Sequence, residues 1–136
     1  KERDVCTAFH VAQVMLQMSR KDINAMRSSL DPDLVYDEIF GFHAQQAVEK
    51  SLKAWIDRVG GTYSFTHDLE RLFYELEQLG CSVAPFESFA DMSAFSVQFR
   101  YCMMGLEDVP LDRDDILLRV LDLYNHVQSL PVKSTP

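Results

Sequence analysis

The sequence predicts an all-α protein: an antiparallel up-and-down four-helix bundle with one additional short helix. Three observations carry that expectation. Apolar residues recur at three- and four-residue steps over five separate stretches, only 5 Gly and 5 Pro interrupt the 136 residues, and no stretch alternates apolar and polar side chains as a half-buried strand does. With 47% hydrophobic content, a chain of this length fits one domain and one core over residues 1–136, with a frayed tail at 132–136.

The first helix is expected over 4–28, where Val5, Phe9, Ala12, Leu16, Ile23 and Met26 keep helical spacing and Ala8, Val11, Met15 and Met18 widen the stripe. Asp31 then offers an N-cap and Pro32 a first helical position that needs no N–H, so the second helix is expected to begin there and to close at Gly60-Gly61, which supply the left-handed residue of a C-terminal cap. Gly41 costs this helix about 1 kcal/mol of propensity relative to Ala and implies a close backbone approach or a slight bend. Ala44, Ala47, Val48, Ser51, Leu52, Ala54, Trp55, Ile56 and Val59 fall on one broad arc, and His43, Gln46, Glu49, Lys50, Lys53 and Asp57 on the other. So wide an apolar arc predicts neighbours on most sides.

A third helix is expected from a Thr66 cap, with Asp68 in its first turn, Leu69, Leu72, Phe73, Leu76 and Leu79 as its buried face and Gly80 as its stop. A loop over 81–86 leads to a fourth helix over 87–103 that buries Phe89, Met92, Phe95 and Phe99. After a second loop over 104–111, the last helix starts at Asp112, presents Ile116, Val120, Leu123, Val127 and Leu130, and ends at Pro131. The first, second, fourth and last helices are the expected principal members of the bundle.

Composition narrows the function. The chain carries 21 acidic against 13 basic residues, a net charge of -8, which repels phosphate backbones, so direct nucleic-acid binding is not expected without a partner or a local basic patch. Cys6, Cys81 and Cys102 are odd in number and have neither metal nor redox spacing, which points to reduced thiols in the cytoplasm. No apolar run approaches the roughly 18 residues that span a bilayer, and the opening Lys1-Glu2-Arg3-Asp4 lacks the apolar stretch of a signal peptide. A soluble, cytoplasmic protein without a membrane segment is therefore expected. His10, His43, His67 and His126 are scattered without ligand spacing, and there is no Gly-rich phosphate loop or nucleophile elbow, so neither metal nor cofactor is expected.

The polar arc of the second helix is the strongest candidate surface. His43, Gln46, Lys50, Lys53 and Asp57 line up at steps of three and four, so two cations, an amide and an imidazole can reach one anionic ligand. The same spacing also fits a solvated face on which Lys53 pairs with Glu49 and with Asp57, each pair contributing about 0.3 to 0.5 kcal/mol. Gln45, between Leu52 and Ile56 on the wheel, is expected to be partly buried. His67 and Asp68 sit at a helix start, where free N–H groups hold anions; read structurally, Asp68 stabilises the first turn and His67 bonds across the bundle. Arg100, among Phe95, Phe99 and Tyr101, is expected to bury its stem and pair with a carboxylate.

The run Phe42-His43-Ala44-Gln45-Gln46-Ala47-Val48-Glu49-Lys50-Ser51-Leu52-Lys53-Ala54, the later His67-Asp68-Leu69 and the triplet Phe99-Arg100-Tyr101 resemble the HEPN family, the higher eukaryote and prokaryote nucleotide-binding domain. The resemblance extends over roughly residues 5 to 130. It departs from the family pattern where Cys102 replaces the proline that commonly follows the Arg-Tyr pair. The resemblance implies a helical bundle that often dimerises and is often encoded beside a minimal nucleotidyltransferase; it does not fix an activity, because the family includes ribonucleases, toxins and members without known chemistry.

On that resemblance the leading expectation is a homodimeric binding or accessory module, within a toxin–antitoxin type pair. His43, Gln46, Lys50 and Lys53, with His67, Asp68, Arg100 and Tyr101, would contact a nucleotide or a minimal nucleotidyltransferase partner. The 9 Phe and 5 Tyr, and apolar arcs on the second and last helices broader than one small bundle covers, point the same way, to a two-fold dimer. The first alternative is a metal-independent ribonuclease. Catalytic members carry an Arg, four to six residues and a His, and a pair with that spacing here is Arg119 and His126. The flanking sequence differs from the catalytic motif, and Asp115 and Asp122, each four residues earlier, account for both as intrahelical pairs. The second alternative is a purely structural helical interaction protein.

Overall fold

A computed structural model describes the backbone of residues 5–94 and 111–131 and the side chains of residues 11–90 and 111–131. The helical periodicities become α1, Val5–Arg27, α2, Asp37–Arg58, α3, Leu69–Gln78, and α4, Arg113–Gln128, with a 3-10 helix at Glu87–Ala94. Among the described residues there is no strand. The protein is all-helical, as its periodicities require.

Cross-helix contacts establish the direction of each helix. Asp22 of α1 meets His43 and Lys50 of α2, Ser19 meets Ala47 and Ser51, and Gln13 meets Arg58, so α1 and α2 run antiparallel. Arg113 at the start of α4 meets Ser29, while Arg20 lies over the Tyr124 ring, so α1 and α4 are antiparallel too. On α2, Asp37 and Phe40 meet Arg113 while Trp55 meets His126 and Arg58 meets Val127, which makes α2 and α4 parallel. Parallel α2 and α4, both antiparallel to α1, are what an up-and-down bundle produces when residues 59–112 carry the chain back.

The core is built by the stripes that periodicity marks. Ala12, Leu16, Ile23 and Met26 from α1, Phe40, Ala44, Ala47, Val48, Leu52, Ala54, Trp55 and Ile56 from α2, and Val120, Leu123 and Val127 from α4 are all buried. Each large apolar side chain among them stabilises the fold by about 1.5 to 3 kcal/mol on burial. The envelopment of α2 predicted by its wide arc is complete from Ala47 to Arg58, where Lys50 alone keeps partial exposure. The arc from Ala44 to Ile56 is therefore covered within one chain, while Ile39 and Phe42 at the head of the helix are exposed.

Several boundaries differ from the sequence reading. Asp31 and Pro32 begin an isolated turn, in which the Asp33 amide donates to Asp31 Oδ1 at 2.9 Å, and α2 starts five residues after Pro32 at Asp37. The turn is held by Arg113, which donates to the carbonyls of Ser29 at 2.5 Å and Val35 at 2.8 Å and to Asp37 Oδ1 at 2.6 Å, a long-range clamp that local spacing does not reveal. The cap of α3 is Asp68, whose carboxylate accepts from the Glu70 amide; Thr66 instead accepts from the Asp68 amide. Leu79 is the exposed C-terminal cap of α3 and not part of its buried face. The segment from Glu87 to Ala94 is 3-10 rather than α-helical, and the rest of the expected fourth helix lies outside the described residues. Gly60 and Gly80, at φ 89° and 84°, supply the left-handed residues expected after α2 and α3.

Candidate functional site

The polar arc of α2 does not face water as a strip. Its charges turn inward and meet carboxylates, making two clusters of the same composition. In the first, Asp22 of α1, 8% exposed, accepts from His43 Nδ1 at 2.9 Å and from Lys50 Nζ at 2.8 Å. In the second, Glu49, 3% exposed, accepts from Lys53 Nζ at 3.0 Å and from His67 Nδ1 at 3.0 Å. An ionised carboxylate only accepts, so each imidazole carries its proton on Nδ1.

Between the clusters α1 and α2 approach closely enough for hydroxyls to span the gap. The Ser19 hydroxyl donates to the Ala47 carbonyl at 2.9 Å and sits 2.9 Å from Ser51 Oγ, which makes Ser51 the donor of that pair. At the far end of α2, Arg58 donates through Nη1 to the carbonyls of Val127, Gln128 and Leu130 and through Nη2 to Gln13. It thereby satisfies the last carbonyls of α4, which the helix itself leaves without donors.

This arrangement sorts the expected site residues. His43 and Lys50 come together on Asp22, both part-buried, and Gln46 beside them is half-buried. Lys53 is buried, paired with Glu49 as its spacing allows and placed 5.5 Å from the Tyr63 ring centroid. The Glu49 pairing is as expected, but the solvated setting is not: His67 and Tyr63 of the 61–68 loop close over this side of α2. His67 reaches Glu49 from that loop with its ring 83% exposed, and Asp68 caps α3. Arg100 and Tyr101 lie outside the described residues.

Charge decides what the α2 clusters can do. Lys50 is balanced by Asp22 and Lys53 by Glu49, so neither offers an uncompensated cation to a phosphate. Withdrawing a lysine from a buried carboxylate to serve a ligand would leave that carboxylate desolvated and without its counter-ion, at a cost of several kcal/mol, on the order of 3 to 5. The geometry favours an internal brace between α1, α2 and the 61–68 loop.

Arg119 and His126 are held by different neighbours. Arg119 donates to Ser88 Oγ at 2.5 Å, lies 3.9 Å from Asp115 as its spacing allows, and covers the Phe89 ring. His126 turns to aromatic rings in place of the expected Asp122, with the Trp55 centroid at 4.8 Å and the Phe86 centroid at 5.2 Å. Cys81 adjoins this cluster; burial pushes its thiol up, and a hydrogen bond from Trp55 offsets part of the rise.

Asp22, Glu49, Arg58 and Arg113, the groups that organise these contacts, were not candidates from sequence. Asp22 did leave a signal. With Ser19 and Met26 it shares the i, i+3, i+7 spacing of a buried stripe, an unusual place for a carboxylate without partners. Among the described residues no group of His, Cys, Asp and Glu could hold a metal ion, and no helix is long and apolar enough to cross a membrane.

The sequence model of the HEPN domain matches residues 12–116, which supports a helical module of nucleotide-related or ribonuclease type. No curated protein and no solved structure matches the chain.

Proposed function

For a chain that belongs to the HEPN domain family, we propose the role of a non-catalytic accessory module, homodimeric and cytoplasmic, that binds a protein partner of the minimal nucleotidyltransferase type within a toxin–antitoxin pair. One observation carries the reading. Of the candidate side chains described, Lys50 and Lys53 are committed within the fold to Asp22 and Glu49, and His126 packs on Trp55 and Phe86. What the start of the signature helix offers outward is apolar instead, Ile39 and Phe42. Exposed apolar side chains beside the acids of the first turn, Asp37 and Glu38, fit protein recognition better than nucleotide binding. Self-association is supported by the habit of the family.

Three measurements test the reading together. Purified protein should show no metal-independent RNA cleavage above background, and His126→Ala should lower stability without an activity to lose. Light scattering at tens of micromolar should give a dimer mass. A nucleotidyltransferase encoded beside this chain should co-purify with it. Robust cleavage abolished by His126→Ala would transfer the assignment to the ribonuclease alternative.

A further inference from the structure

Four apolar side chains at one end of the bundle face solvent. Leu34 is 81% exposed, Tyr36 68%, Ile39 45% and Phe42 57%. They are close along the chain: Leu34 lies in the turn before α2, Tyr36 is its N-cap, and Ile39 and Phe42 share one face of its first two turns. Isolated exposed apolar residues are ordinary, but a contiguous run at the head of a helix is the kind of surface that marks an interaction site.

The stretches that form this end carry mostly one sign of charge, with the exposed Arg27 in the last turn of α1 as an exception. Residues 28–42 hold Asp31, Asp33, Asp37 and Glu38 and no cation. The head of α4 is fastened beside them by Arg113, which bonds to Val35 and Asp37 and lies over the Phe40 ring, and it brings Asp112, Asp114 and Asp115 to the same end. Arg113 is the cation of residues 111–118 and is buried, so the two stretches together carry six of the chain's eight net negative charges. Helix heads favour acids through their dipoles, which accounts for Asp37, Glu38, Asp114 and Asp115 individually. It does not account for Asp33, or for four apolar side chains left in water among them.

We propose that this end of the bundle docks a cationic amphipathic protein segment, with its apolar side chains on Leu34, Tyr36, Ile39 and Phe42 and its lysines or arginines toward Asp33, Glu38 and the head of α4. Charge complementarity selects this occupant. A second copy, related by a two-fold axis through the strip, would press the acidic rim against itself, and like charges in apposition select against that pairing; the face used by the homodimer lies elsewhere. A nucleic acid is repelled for the same reason. The inference deepens the reading of the protein as a partner-binding module by naming the partner's surface chemistry, yet it can be tested without knowing the partner.

The probe is a synthetic helical peptide of Leu and Lys alone, with a Leu/Glu peptide and a Lys/Gln peptide of equal charge and no apolar face as comparisons, titrated against the full chain by fluorescence anisotropy. Binding of the Leu/Lys peptide alone is expected, weakening as salt rises. Ile39→Ser with Phe42→Ser should reduce its affinity by about tenfold or more, as removal of apolar anchors at an interface centre does. Asp33→Lys with Glu38→Lys should reduce it by roughly tenfold through like-charge repulsion; Asp31 and Asp37 are left intact because they hold the turn and Arg113. Glu70→Lys with Glu77→Lys, the same charge change on the exposed side of α3, should leave it unaltered. Equal loss in the α3 variant, equal binding of the Leu/Glu peptide, or no binding at all overturns the proposal. So does conversion of a dimer to a monomer by the Ile39→Ser, Phe42→Ser pair, which would assign the strip to a second copy. If the neighbouring nucleotidyltransferase fails to co-purify while the peptide results hold, the partner's identity is wrong and the docking surface stands.

Discussion

The two ends of α2 invert the usual relation between polarity and burial. From Ala47 to Arg58 its charged side chains lie inside, each with a partner: Glu49 with Lys53 and His67, and Arg58 with the end of α4. Across its first two turns, apolar Ile39 and Phe42 lie outside. Amphipathic logic, applied to one helix at a time, assigns both ends wrongly. The difference lies in the neighbours. The C-terminal half is enclosed by α1, α3, α4 and the 61–68 loop, so its charges meet partners inside the fold; the N-terminal end meets α1 through His43 and the head of α4 through Asp37, and leaves Ile39 and Phe42 exposed.

Removing an interior charge is the largest test of that contrast. Glu49→Ala removes the carboxylate that buried Lys53 meets at 3.0 Å and should cost about 3 to 5 kcal/mol in urea unfolding, as breaking a buried pair does. Asp22→Ala, whose lysine partner is more exposed than Lys53, 18% against 10%, should cost less, roughly 2 to 3 kcal/mol. If either costs no more than an exposed acid such as Glu70→Ala, the clusters do not brace the fold and the interior half of the comparison fails.

Smaller effects are expected at the open end. Ile39→Ser and Phe42→Ser should each change stability by only about 0.5 kcal/mol, because neither contributes to the core. A loss above roughly 2 kcal/mol for either would show that these side chains are buried in the folded protein in solution. His67→Ala probes the boundary between the regimes: its partner is buried but its own ring is 83% exposed, so about 0 to 1 kcal/mol is expected after solvent screening.

The smallest expected effect is a pH dependence at the edge of the enclosed half. Desolvation raises the Glu75 carboxyl, but the Ser64 hydroxyl and amide, with Arg71, outweigh it and hold the group below its ordinary value. A depressed folded value means that Glu75 stabilises the fold above the unfolded carboxylate range, near pH 4.3, and that this contribution is lost as pH falls through the lower folded value. Ser64→Ala should move the Glu75 titration, followed by carboxyl NMR, back up toward the ordinary carboxylate range and flatten the acid side of the stability profile. An unmoved titration would show that Ser64 does not hold it.

Much of the site's membership was legible in the sequence, while its meaning was not. His43, Lys50, Lys53 and His67 do occupy one side of α2 and its adjoining loop, as three- and four-residue steps require. That His43, Lys50 and His67 serve Asp22 and Glu49 rather than a ligand depends on partners 21, 28 and 18 residues away in the chain. Sequence periodicity reports which residues of a helix share a face; it does not report what stands opposite. Arg119 and His126 make the same point, since spacing puts them on one shoulder of α4 but the aromatic cluster of Trp55 and Phe86 draws His126 to contacts of its own.

The sequence by itself determined the helical class, the buried stripes of α1, α2 and α4, the glycine-closed ends of α2 and α3 and the membership in the HEPN family, because each rests on local spacing or on a continuous string of residues. Tertiary structure alone decided where α2 begins, which acid caps α3, which charges are enclosed and which apolar residues are left outside. These outcomes depend on balances between groups far apart in the chain. The Asp31-Pro32 start signal yields to Arg113, held 84 residues from Ser29, because three bonds from one buried guanidinium outweigh a single capping preference of about 1 kcal/mol.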